Sequence, residues 1–446
     1  MISDRHLLPV DAMRIALGLT LLLSSCTTNQ SPFDPDASTG NPEVDAPPNN
    51  GTLIPTPIRY VVVIVKENHS FDNYFMGFPG ATSSTTAKLK DGTVITRAKA
   101  PDGPLDGDMS HSHASAVKDY DGGKMDGFDT IVAAQPRRPF YYYAESQIPN
   151  YWAYARNFAL FDHFFSTLAG PSSPGHFAVV TAQTPHYGNS DCSDGTDDCG
   201  RGCVTPDPAL FVPVYNHTTG AVSTTAPCFK VPSVIDHLPE GFTWRTYAGG
   251  SGPNALGTAF NLVDSVGSHA DVRAAHYRTY AQLNADLTSG DQANFTHIDV
   301  SSAPNGASEH PPNAPCEGEN FTVNIINKIM QGPHWNETAI ILTWDDFGGW
   351  YDHVKPTVEV LSNGTFFNTG FRIPALIISP YAKTAVVKTK TEHASVPKLV
   401  EELWGMPMMS DTDPKARDGR VGSMLDAFDF AQTPKPPLLL TPRTCP

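Results

Sequence analysis

Three continuous apolar runs rich in β-branched residues punctuate the chain: Tyr60 to Val65 (YVVVIV), Ala339 to Trp344 (AIILTW) and Ile373 to Ser379 (IPALIIS). Alternation of polar and apolar residues would mark a strand with one wet face, whereas uninterrupted apolarity predicts strands buried on both faces. Helical periodicity lies between them. In Asn320 to Gln331, Phe321, Ile325, Ile326 and Ile329 recur on one face, and in Val396 to Trp404 the apolar positions are Leu399, Val400 and Leu403. Buried strands alternating with such helices predict an α/β domain with a mainly parallel sheet.

The N-terminal part follows neither pattern. Met13-Arg14 opens a short basic region, Ile15 to Leu23 is largely apolar, and Leu23-Ser24-Ser25-Cys26 closes it. That layout is an export signal, and small residues before a cysteine match the bacterial lipoprotein processing site. Residues 1–25 are therefore expected to be removed as a signal peptide, leaving a lipidated Cys26 on a protein of the periplasm or cell surface. Residues 1–12 carry several charges, so Met13 is an alternative start; the apolar stretch is too short to span a bilayer. Residues 26–56, rich in Pro, Ser, Thr, Asn and Asp, cannot bury a core and read as a flexible tether to a folded domain at 57–446. Within that domain, 185–232 is Cys-, Gly-, Pro- and Thr-rich and reads as a disulfide-braced excursion. The Pro-rich tail after Phe430 is expected to cross the surface until Cys445 ties it down.

A net charge of -16 argues against nucleic acid and anionic head groups as partners. A small anionic substrate stays compatible with it, because a metal ion can invert the local field. Beyond Cys26 the cysteines are Cys192, Cys199, Cys203, Cys228, Cys316 and Cys445, an even set compatible with disulfides whose pairing is open. Cys192, Cys199 and Cys203 lack the C-x-x-C pair of a zinc site, and export favours disulfides. Asp119, Asp121 and Asp126 resemble a calcium loop only faintly, with no glutamate at its twelfth position.

Chemistry gathers where strands end, the place where open α/β sheets bind ligands. Tyr60 to Val65 leads through Lys66 into Glu67-Asn68, and Ala339 to Trp344 runs into Asp345-Asp346 and then Phe347-Gly348-Gly349. Carboxylates converging there would repel one another without a cation, and oxygen donors suit a hard or borderline divalent metal. Either pair alone also fits loop carboxylates that cap helices or face solvent. Ala169-Gly170-Pro171-Ser172-Ser173-Pro174-Gly175-His176 crowds glycine and proline into a tight turn around two hydroxyls, ahead of the apolar Phe177 to Val180. Serine is a poor nucleophile unless a metal or base activates it. His310, His353 and His393 each follow a carboxylate or its neighbour, in Ser308-Glu309-His310-Pro311, Asp352-His353 and Glu392-His393; His111 precedes GGKMDGF.

In this order the segments resemble the phosphoesterase family of bacterial phospholipases C and related acid phosphatases, over Tyr60 to Trp404. VIVKENHSFDNYF (63–75) looks like that family's E-N-x-S-F-D-x-Y-F block, and His111 with GGKMDGF like its H…GG-x-MDGF element. Tyr151-Trp152-Ala153 resembles the stretch before the nucleophile turn, and Gly170-Pro171-Ser172 falls on that turn. Ser308-Glu309-His310-Pro311 is similar to its S-E-H-P motif. Asp345-Asp346 through Gly348-Gly349 to Asp352-His353-Val354 is similar to its D-E/D-x-G-G-x-x-D-H-V block. Gly370 to Pro374, Ser379-Pro380 and His393 to Val396 match the closing motifs.

The resemblance implies an alkaline-phosphatase-like, three-layer α/β fold. It implies one divalent metal ion, of unknown identity, held by Glu67, Asn68, Ser172, Asp345 and Asp346. Ser172 would attack phosphorus and form a phosphoryl-enzyme, while His111 and His310 contact the phosphoryl oxygens or protonate the leaving group. His353 and His393 would support the site from behind. Two positions depart from the family. Gly175 stands where asparagine is common, which implies looser phosphate contacts. Asp346 replaces the glutamate typical of many phospholipases C, which leans towards phosphatases. Monoester and phospholipid diester substrates both stay open, as does a non-catalytic, lipid-anchored binding protein with this fold.

Overall fold

The computed structural model describes residues 56–187, 202–204, 211–216, 219, 221–250, 258–360 and 366–446. The signal peptide, Cys26, most of the tether, Cys192 and Cys199 lie outside the described residues. Eight strands form the main sheet: β1 (Tyr60–Lys66), β2 (Ala159–Phe161), β3 (Trp244–Ala248), β4 (Tyr277–Thr279), β5 (Phe295–Asp299), β6 (Thr338–Trp344), β7 (Ala375–Ile378) and β8 (Ala385–Val387). Their spatial order is β8-β2-β7-β6-β1-β5-β3-β4. Every neighbouring pair is parallel except the two made by β7, which runs antiparallel to β6 and β2.

Val61, Val62, Val63, Ile64 and Val65 of β1 are all fully buried, as are Ala339 to Leu342 of β6. Both faces of the sheet are therefore covered, as uninterrupted apolar runs require. The helices fall into two packed groups. One contains α1 (Pro149–Asn157), α3 (Tyr280–Ser289) and α4 (Pro315–Gln331); the other contains α2 (Ser172–Thr181) and α5 (Ser395–Trp404). Helix α2 is buried along its whole length, and its residues are apolar from Phe177 to Val180. Trp244 and Tyr247 of β3 are buried in the core.

Two disulfides join described cysteines, Cys203–Cys228 within the Cys-rich excursion and Cys316–Cys445. The second pins the tail to the start of α4, where Arg443 also donates to Glu319 at 2.9 Å. It closes a loop with a sequence separation of 129 residues. Replacing Cys316 and Cys445 by serine is expected to lower unfolding free energy by about 2–5 kcal/mol. Denaturant titration under non-reducing conditions reads this directly, and an unchanged midpoint would show the tail to be dispensable.

Candidate active site

Strand register builds the centre of the site. Lys66 pairs with Trp344, so Glu67-Asn68 and Asp345-Asp346 leave adjacent strands side by side. On the other flank Val65 pairs with Asp299, the last residue of β5. Asn68 takes a left-handed conformation, φ 57°, which asparagine tolerates better than most residues. The facing Gly348 also has φ 60°, and a Cβ there would stand 2.3 Å from the Asn68 carbonyl oxygen, so only glycine fits.

Hydrogen bonds then fix each carboxylate. The backbone N–H groups of Asn68 and Asp346 donate to Asp345 Oδ1 at 2.7 and 2.6 Å. The Gly348 N–H donates to Asp346 Oδ1 at 2.6 Å, and Ser172 Oγ donates to Asp346 Oδ2 at 3.2 Å. The Asn68 amide nitrogen lies 3.4 Å from Asp346 Oδ1. Glu67, Asn68, Ser172, Asp345 and Asp346 are all buried. The five residues expected around a metal thus come together.

Their electrostatics carry the strain of the assembly. Burial and the neighbouring Asp345 charge push Asp346 well up, and the same two causes raise Glu67 to about 7. Burial also opposes ionisation of Asp345, but the close approach and charge of the His176 imidazole, with the Asn68 N–H, hold it below the usual carboxylate range. Asn68 Oδ1 and Asp345 Oδ2 are buried without a hydrogen bond. Leaving such oxygens unpaired costs about 1–3 kcal/mol each, and more for a charged one. Unpaired amide and carboxylate oxygens amid mutually repelling acids are the donor set a hard or borderline divalent cation takes. The residues present fit a metal ion.

Ser172 is the first residue of α2, not part of a free turn. Pro174 and Gly175 look like breakers, yet both lie in the first helical turn, where a missing N–H is harmless. The nucleophile candidate therefore sits at a helix N-terminus, which favours anions such as phosphate. Gly175 also has a steric role: a Cβ there would stand 2.1 Å from the Asp345 carbonyl oxygen. The glycine lets α2 touch the end of β6. Gly175→Ala is expected to push the two apart, costing about 1–3 kcal/mol by overpacking and at least about tenfold in turnover by displacing Ser172. Wild-type turnover in that variant would remove the steric role.

The expected histidines separate into two sets. His111 faces the cluster: its Nε2 is 3.0 Å from the Asn68 amide nitrogen, and its Nδ1 is 2.7 Å from the Met109 carbonyl. His310 stands beside it, ring centroids 5.7 Å apart, with Nδ1 2.7 Å from the Pro311 carbonyl. Burial disfavours charge on His310, but Glu67 and Asp108 outweigh it and raise its pKa. His393 is braced by backbone at both nitrogens, Nε2 at 2.8 Å from the Trp344 carbonyl and Nδ1 accepting from the Thr167 N–H at 3.2 Å. Burial pushes it down to about 4, so it stays neutral and steadies the end of β6. His353 Nδ1 lies 2.7 Å from Asp72 Oδ2, within a buried group that also holds Asp352, Asp162, Arg97 and Arg372.

Two further side chains, His176 and Glu309, reach the site. His176 stands 2.8 Å from Glu67 and 3.6 Å from Asp345 through Nε2, and 3.4 Å from Asp299 through Nδ1. Its only signal in the sequence is the four-residue step from Ser172, which puts both on one helix face. Glu309 is fully buried and takes Lys66 Nζ at 3.1 Å, Tyr74 Oη at 2.8 Å, Tyr151 Oη at 2.5 Å and Trp344 Nε1 at 3.2 Å. It locks the loop carrying His310 to β1 and β6.

The model of the phosphoesterase family matches residues 58–407. Phospholipase C A of Mycobacterium tuberculosis is 26% identical over 433 residues, covering 85% of this chain and 78% of that protein. The non-hemolytic phospholipase C of Pseudomonas aeruginosa is 23% identical over 453 residues, covering 87% and 59%. Among solved structures, a protein in the alkaline phosphatase superfamily from Vibrio parahaemolyticus aligns over 82% of this chain and 73% of its own, with 14% identity and a TM-score of 0.38. With its motifs in family order and the family model spanning most of its length, the chain belongs to the phosphoesterase family.

Proposed function

We propose that the protein is an exported, metal-dependent phosphoric ester hydrolase of the phospholipase C or acid phosphatase type. The observation that carries this is Ser172 Oγ, at a helix N-terminus and bonded to Asp346 within a buried cluster of metal-type oxygen donors. Glu67, Asn68, Ser172, Asp345 and Asp346 would hold one divalent ion. Such an ion supplies positive charge against the phosphoryl oxygens and lowers the pKa of a nearby hydroxyl. Ser172 Oγ attacks phosphorus, the bond to the leaving alkoxide breaks, and water later releases phosphate or phosphomonoester from the serine. Asp346 accepts the hydrogen bond of the Ser172 hydroxyl, orients the oxygen and would take its proton as the bond to phosphorus forms. His310 protonates the leaving oxygen, and His111, fixed by the Met109 carbonyl, contacts the phosphoryl group. His393 and His353 hold the strand end and loop that carry the acids.

Phosphate monoesters and phospholipid diesters are both proposed substrates, with Cys26 as a lipid anchor to the membrane. Among the described residues no helix is long and apolar enough to cross a membrane. The test is a paired assay with p-nitrophenyl phosphate and phosphatidylcholine across pH, before and after chelation. Hydrolysis of at least one substrate, abolished by chelation and restored by a divalent ion, is expected. Hydrolysis that survives exhaustive chelation would overturn the metal reading, and no hydrolysis of either would overturn the enzyme reading.

A further inference from the structure

We infer that His176, itself held by Asp299, is a positioning residue that aims the Glu67 carboxylate at the metal. The inference rests on the metal site proposed above and extends it beyond the five oxygen-donor residues. Three elements converge on this imidazole. Helix α2 supplies it, four residues after Ser172 on the same face. The β1 end supplies Glu67, whose Oε1 is 2.8 Å from Nε2, and the β5 end supplies Asp299, whose Oδ2 is 3.4 Å from Nδ1. His176 is 6% exposed and Asp299 3%, so no bulk water competes for either nitrogen.

Glu67 needs such a partner. Asp345 and Asp346 are each fixed by backbone N–H donors, but the Glu67 side chain has His176 as its one hydrogen-bond donor among the described residues. A glutamate has three side-chain torsions, so an untethered carboxylate would be ordered only by the ion itself. Hydrogen bonds from behind to metal-ligating groups fix their orientation and commonly change affinity 10–100-fold when removed, by about that factor in known sites. Nε2 of His176 faces Glu67 and Asp345, and Nδ1 faces Asp299. The residue acts through Glu67. Its place on α2 also links the metal ligand to the nucleophile, since one rigid helical turn carries Ser172 and the group that sets Glu67.

Co²⁺ loaded into the chelated full-length protein tests this, because its visible absorption reports ligand geometry without any turnover. His176→Gln and Asp299→Asn are both expected to alter the Co²⁺ spectrum. Asp299→Asn is also expected to weaken Co²⁺ binding about 10–100-fold although Asp299 touches no proposed ligand. Thermal unfolding and circular dichroism establish that the variants are folded, and Asp299→Asn provides the arm in which the His176 ring is kept. Wild-type spectra and affinity in both folded variants would overturn the positioning role while leaving the metal site standing. Failure of the wild-type chain to bind Co²⁺ would overturn the site and this role together.

Discussion

Replacing Ser172 by alanine is expected to lower turnover of p-nitrophenyl phosphate or a phosphodiester by roughly 10⁴- to 10⁶-fold, the scale seen when an enzyme nucleophile is deleted. In the proposed mechanism the hydroxyl is the group that bonds to phosphorus while the acids hold a cation, so its loss would remove both the attacking atom and one oxygen ligand. The fold should survive, because the hydroxyl's single bond to Asp346, 3.2 Å long, contributes only about 1 kcal/mol. Circular dichroism and the unfolding midpoint would verify that. Single-turnover trapping with radiolabelled phosphate at acid pH should label wild type and leave the variant unlabelled. Full activity in the variant would remove Ser172 from the mechanism, and labelling without Ser172 would point to another nucleophile.

Removing Arg372 should have the largest effect on stability. Its guanidinium is fully buried and binds three carboxylates: Asp352 through Nε at 3.0 Å, Asp162 through Nη1 at 3.0 Å and Asp72 through Nη2 at 2.9 Å. It also lies over the Phe71 ring, 4.2 Å from its centroid. Arg372→Ala leaves buried acids uncompensated, which costs about 3–5 kcal/mol in such networks. Arg372→Lys is expected to recover little, because a point charge cannot reproduce three forked contacts. Burial raises the pKa of Asp72, but the His353 hydrogen bond and the Arg372 and Arg97 charges outweigh it and hold the group below its ordinary value. The sign of the pH effect follows. Stability from Asp72 is present above an unfolded-state pKa of about 4 and is lost as pH falls through the depressed folded value. Arg372→Ala should therefore flatten this part of the acid limb. Activity should fall with stability, since Asp72 follows Glu67-Asn68 and Asp352 follows Asp345-Asp346 on the two segments that Arg372 clamps together. A loss under about 1 kcal/mol by denaturant titration would contradict the role of a buried charge hub.

Much of the site is legible in the sequence. Val61 to Val65 and Ala339 to Leu342 lack alternation because both faces are buried, so the strands and the α/β class follow from local pattern alone. Acids and an amide at the ends of those strands, in family order with Gly170-Pro171-Ser172 and Ser308-Glu309-His310, marked the chemistry. Local pattern also misled. Pro174 and Gly175 suggested a turn, yet a helix begins at Ser172, because proline in a first helical turn breaks no hydrogen bond.

What the chain alone determined is which segments are buried strands or helices and which residue types stand at their ends. Tertiary structure decided how those ends meet: the Asn68 N–H binds a carboxylate 277 residues away, through a register that aligns Lys66 with Trp344. It also decided that β7 runs antiparallel, and that His176, Asp299 and Arg372 bind partners remote in sequence. The physical reason is range. Apolar periodicity reports each segment's own burial, whereas a buried charge finds its counter-charge only after strands and helices have docked, so the five oxygen-donor residues were visible early and the groups that aim them were not.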